Sequence, residues 1–222
     1  GSLAGFDLVA VPAHDRPRPD RRVVTTLGAP HPFDRAALDR AASDLPAAVA
    51  ALPPPYVTVL VGGPTRGVRF GAPDLARLAA AVDDLARRLG ASVLATTSPR
   101  SPGGAAARLA DGLAVPHHVH DLRAGAANPL RAFLAVATRV VVTADSASML
   151  SEAAATGVPV HVFALAGRRR KFERLRRELV EAGVVQPWVI DTPPPPAPID
   201  ESARLAAIIR RRVAAQAPSR RA

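Results

Sequence analysis

The stretch that decides the fold runs from Arg139 to Phe163, RVVVTADSASMLSEAAATGVPVHVF. Val140, Val141 and Val142 make the short, uninterrupted apolar run of a strand buried on both sides of a parallel sheet. Thr143, Asp145, Ser146 and Ser148 then supply helix-capping oxygens, and an alanine-rich helix follows. Gly157 and Pro159 end that helix, and Val160 to Phe163 begin another strand. The unit is strand–loop–helix–strand, with its polar residues gathered at the carboxyl end of the first strand. Ligands of open parallel sheets bind at that end. Main-chain N–H groups at the helix start, with the Ser146 and Ser148 hydroxyls, form a seat for a phosphate. Glu152, four residues after Ser148, shares its helix face and suits a ribose diol. The same residues also read as an ordinary N-cap and a solvated surface acid.

Working outward, Tyr56 to Val61 is another continuous apolar strand, closed by the loop Gly62-Gly63-Pro64-Thr65-Arg66-Gly67. Pro73 opens a helix whose Leu75, Leu78, Val82, Leu85 and Leu89 form one apolar stripe, and Gly90 ends it. Ser92 to Thr96 and His117 to His120 read as further strands, with a short helix between them, and Asn128-Pro129 starts the helix leading into the central unit. Beyond it, residues 168–182 form an arginine-rich helix, Trp188 to Ile190 a last short strand, and residues 201–214 a final helix. Such repeated strand–helix units predict an α/β fold, a Rossmann-like parallel sheet with helices on both faces.

The first fifty residues are less regular. Phe6 to Val11 and Val23 to Leu27 read as two strands, and residues 34–51 as a weak helix broken at Pro46. The stiff Pro53-Pro54-Pro55 spacer marks the boundary expected between residues 1–52 and a main domain over 53–214, with residues 215–222 as a disordered tail.

Composition narrows the chemistry. The 222 residues contain no cysteine, which excludes disulfides, thiolate metal sites and cysteine nucleophiles. No apolar run approaches the roughly 20 residues of a membrane span. With no signal peptide evident, the chain reads as cytoplasmic. A net charge of +10 invites a nucleic-acid reading, yet 28 of the 29 cations are arginine, the usage of a GC-rich genome. They lie along helices without interleaved aromatics, so no nucleic-acid partner is expected. The clusters Arg168 to Lys171 and Arg210 to Arg212 suit an anionic membrane surface or a nucleotide diphosphate.

Other chemistries find little support. His118 and His120 share a strand face, but Asp121 is the sole further ligand nearby, and no metal site is expected. The GGPTRG loop lacks the spacing of a dinucleotide fingerprint and the lysine of a P-loop. No nucleophile elbow is present.

The strings VLVGGPTRG, NPLRAFLAVATRVVVTADSASMLSEAAATGVPVHVF and RRRKFERLRREL, with FDLVAVPAHD and VVTTLGAPH before them, resemble the mitochondrial-fission ELM family in a bacterial member. That family is similar to the MurG-like glycosyltransferases, whose two Rossmann-like domains bind UDP-sugars. The resemblance implies that this chain corresponds to the C-terminal half of a GT-B-type fold, with the N-terminal domain mostly absent and residues 1–52 its remnant. It further implies a nucleotide-diphosphate sugar as substrate and no cofactor. Gly62, Gly63, Thr65 and Arg66 would face the diphosphate, Glu152 the ribose, and Asp145, Ser146, Ser148 and Met149 the region of the phosphates. Lys171 or Arg168 would face the sugar, and His14, beside Asp15 after a strand end, is the candidate acid/base. The alternative is a non-catalytic scaffold held on the inner membrane surface by its basic helices.

Overall fold

The computed structural model describes residues 3, 5–31, 35–125, 127–167, 170–188, 195 and 197–216. At its centre β3 (Tyr56–Val61) pairs in parallel with two strands at once. One neighbour is β4 (Ser92–Thr97), the other β6 (Ala137–Thr143), so that Thr58 lies between Leu94 and Val140. Two more strands, β5 (His117–His120) and β7 (Val160–Phe163), complete a five-stranded sheet of order β5-β4-β3-β6-β7.

That order follows from the connections. The helices α3 (Ala72–Leu89) and α4 (Ala105–Asp111) carry the chain outward from β3 to β4 to β5. Helix α5 (Leu130–Val136) brings it back past the starting point to β6, and α6 (Ala147–Ala154) continues to β7. With right-handed crossovers, reversing direction moves the helices to the other face. Leu75, Leu78, Val82 and Leu109 accordingly cover Val57, Val59 and Val61 on one face. Leu134, Leu150 and, from α7 (Arg170–Glu181), Phe172, Leu175 and Leu179 cover Leu60, Val140 and Val142 on the other. The period of two along β3 sends its residues alternately to these two cores. Each such side chain, fully buried, contributes about 1.5–3 kcal/mol.

Several boundaries differ from those read in the sequence. Strand β1 (Val9–Pro12) starts three residues later than expected, and Phe6 is exposed. Residues 35–50 break into α1 (Arg35–Ala41), a 3-10 turn and α2 (Ala47–Ala50). Leu38 of α1 joins the second core, and Val49 of α2 packs with Leu94 and Phe133. These helices therefore belong to the main sheet, and the chain passes into that unit before the triple proline. Trp188 is a bend among the described residues, while Val189, Ile190, most of the proline tract and residues 217–222 lie outside them.

A smaller unit sits beside the sheet. Strand β1 pairs in parallel with β2 (Val23–Thr26), and α8 (Glu201–Gln216) returns along them. Arg204 donates to the Thr25 carbonyl, and Arg212 to the carbonyls of Asp7 and Arg21, each at 2.8 Å. The last helix thus attaches to the first strands.

Candidate ligand site at the carboxyl ends of the strands

Strands β3 and β6 lead to opposite sides of the sheet, so their carboxyl ends flank its switch point, the usual binding crevice of an open α/β fold. Here the two loops are bonded together. Thr143 Oγ accepts the Gly62 N–H at 2.8 Å and donates to Asp145 at 2.6 Å. The other Asp145 oxygen accepts the Gly63 N–H at 3.0 Å and pairs with Arg100 at 3.1 Å. Ser101 Oγ bonds the Gly62 carbonyl at 2.6 Å from the loop after β4.

This explains the two glycines. A Cβ at Gly62 would collide with the Asp145 carboxylate, and one at Gly63 with the Arg100 carbonyl. Close approach of backbone to backbone and to a buried acid requires them. The Gly63 N–H, expected to face a diphosphate, is instead donated to Asp145, which is fully enclosed. What reaches the surface is cationic. Thr65 and Val68 exchange two main-chain bonds in a tight turn that leaves Arg66 exposed, and the Arg100 side chain is 43% exposed while anchored by Asp145.

Helix α6 begins beside this corner. Ser146 caps it, accepting the Met149 N–H at 3.4 Å, and Ser148 is exposed on the first turn. Met149, expected near the phosphates, points the other way into the core with Leu150 and Val140, since successive helical residues are about 100° apart. Glu152 is half-buried, and the positive charge of Arg131 on α5 acts on it. Burial raises its carboxyl above the ordinary range, and Arg131 offsets only part of that.

A second cluster forms where the small unit meets α7. His14 lies in the 3-10 turn Ala13–Asp15 that follows β1, and its carbonyl accepts Arg174 Nε at 2.6 Å. Its neighbour Asp15 pairs with Lys171 at 2.7 Å. His14 is buried, and its Nδ1 has no hydrogen-bond partner. Burial lowers its pKa, Asp15 opposes this, and Lys171 and Arg174 lower it further.

The structure thus joins Gly62, Gly63 and Asp145 directly, with Thr65, Arg66, Ser146 and Ser148 on the same two segments, and sets His14 with Lys171 elsewhere. The two places are connected, because the loop after β3 pairs with that after β7 through Val68 and Gly167. Arg168 lies outside the described residues. In the sequence Thr143 reads only as a helix-capping residue, and sequence reasoning missed Arg100 and Ser101. Arg100 follows a predicted parallel strand, and that position alone was a signal. Among the described residues no group of three or more His, Asp or Glu is arranged to hold a metal ion, and no helix is long and apolar enough to cross a membrane.

Known structures resemble the chain at a distance. The spinosyn forosaminyltransferase SpnP is 20% identical, with a TM-score of 0.47, over 93% of this chain and 51% of its own. The MAR1 ribonuclease of Caenorhabditis elegans is 16% identical, with a TM-score of 0.41, over 59% of this chain and 76% of its own. At these scores neither likeness bears on function. Sequence comparison reaches further. The Mitochondrial fission protein ELM1 of Arabidopsis thaliana is 33% identical over 96% of this chain, which spans 56% of that relative's length. Residues 2–213 match the family described as Mitochondrial fission ELM1, and the chain belongs to that family.

Proposed function

We propose that this chain is a nucleotide-diphosphate-sugar-binding domain of glycosyltransferase type, corresponding to the C-terminal half of a GT-B fold. The observation that carries the reading is the convergence of the Gly62–Gly63 loop and the start of α6 at the switch point, with Arg100 fixed over it by Asp145. The diphosphate lies across the mouth of the crevice on Arg66, Arg100 and the Ser146–Ser148 turn, and Glu152 accepts the ribose hydroxyls. Charge that develops on the leaving diphosphate is met by guanidinium groups already in place, so no metal is required.

The test is thermal shift with UDP-, GDP- and ADP-sugars. A ligand at 100 times its Kd stabilises the folded state by about 2.7 kcal/mol. Arg100→Ala and Glu152→Ala should lose that gain while remaining folded. Absence of a shift with every sugar nucleotide overturns the proposal.

A further inference from the structure

We infer that the cleft between Arg16, just after the turn Ala13–Asp15, and α7 is a second anion site, built for a phosphorylated small molecule with an apolar body. The inference is separate from the nucleotide-sugar reading in its cations: Arg16, Arg170, Arg174 and Arg177 have no part there.

The cleft has a volume of about 990 Å³. Five guanidinium groups line it, those of Arg16, Arg170, Arg174, Arg176 and Arg177, against the carboxylate of Glu173, while Glu178 on the same helix acts on Arg174 and Arg177. Arg170, Arg174 and Arg177 recur at helical spacing and share one side of α7, while Phe172, Leu175 and Leu179 face the core. Like charges at that spacing repel and weaken a helix. An exposed arginine stripe alone would be a solvated surface, but two features are not those of such a stripe. Arg16 brings charge from the opposite wall, held at φ 53° in the left-handed region, and no other non-glycine residue among those described has a positive φ. Arg174 is fixed by its bond to the His14 carbonyl, so its guanidinium is oriented before any ligand arrives. Among the described residues neither Arg16 nor Arg170 is paired with an acid.

The nature of the ligand follows from what adjoins the cleft. A hollow of about 570 Å³ opens beside it and shares Gly167, Glu173, Arg176 and Val180 with it. Phe172 and Trp188 contribute aromatic walls, and the indole is held by its N–H bond to the Val162 carbonyl at 3.2 Å. Charged cleft and apolar hollow together match an amphipathic phosphate, its anionic group among the arginines and its body against Trp188. The body of such a ligand is that of a soluble aromatic phosphate or of a lipid-borne one.

Trp188 is the chain's single tryptophan and lines this hollow, so its fluorescence reports on it. Phenyl phosphate should change that fluorescence saturably, and inorganic pyrophosphate should compete. Removing one arginine weakens binding about tenfold, so Arg170→Ala and Arg177→Ala should each do so. Arg210→Ala with Arg211→Ala, which lowers the net charge on α8, should leave binding unchanged, as should Arg100→Ala. A lipid-borne source would show as a parallel loss, in the same variants, of competition by vesicles containing phosphatidic acid. No saturable change with phenyl phosphate, or equal affinity in the cleft variants, overturns the inference. So does an equal loss in the α8 variant.

Discussion

The carboxylate of Asp145 accepts the main-chain N–H of Gly63 at 3.0 Å, and the anion that seats the loop after β3 is therefore part of the protein itself. The same side chain accepts the Thr143 hydroxyl and anchors Arg100. One buried acid thus fixes two loops and aims one cation.

Asp145→Ala leaves the Gly63 N–H without its acceptor in a buried place and frees Arg100. The expected loss of stability is about 1–3 kcal/mol, the cost of an orphaned buried polar group. Urea unfolding measures it. Asp145→Asn, which keeps one acceptor oxygen, should lose less.

Gly63→Ala should destabilise by about 1–3 kcal/mol, as overpacking does, because its Cβ meets the rigid main chain of Arg100 and Ser101. Gly103→Ala is the control. The nearest atom there is the end of the flexible Arg123 side chain, 3.6 Å away. Thermal melting of the two variants side by side tests the difference.

Glu152 gives a pH-dependent prediction. Burial raises its folded pKa above the unfolded value, so the folded chain holds this proton more tightly. Its contribution favours folding in acid and is lost as pH rises through the raised pKa. Glu152→Gln should therefore melt higher than the parent near pH 7, and the two should converge below about pH 4. Parallel melts at the two pH values check this, and an unchanged difference would place the carboxyl in water.

The parallel sheet was legible because a strand buried on both faces must be apolar throughout, which marks Tyr56 to Val61 and Val140 to Val142 without ambiguity. The switch-point corner was legible for a related reason, since polar residues that follow such runs gather at one end of the sheet. Direction within a helix was harder. Ser148 and Met149 are neighbours in sequence, yet one is exposed and the other in the core. Contacts between distant segments left no local trace. Nothing near Asp83 announces that its carboxylate accepts the N–H groups of Ala114 and Val115, at 2.8 and 3.0 Å, across a helix-to-loop seam. The same holds for the placement of α1 and α2, whose weak periodicity could not say which sheet they would cover.

Arginines of α8 reach main-chain carbonyls of the first strands, and Ile209 and Val213 on that helix are exposed, while Leu205 is buried. The five-stranded sheet, in contrast, is sandwiched between two apolar layers. Cohesion should therefore be graded across the molecule, with amide hydrogen exchange faster in β1, β2 and α8 than in the central strands.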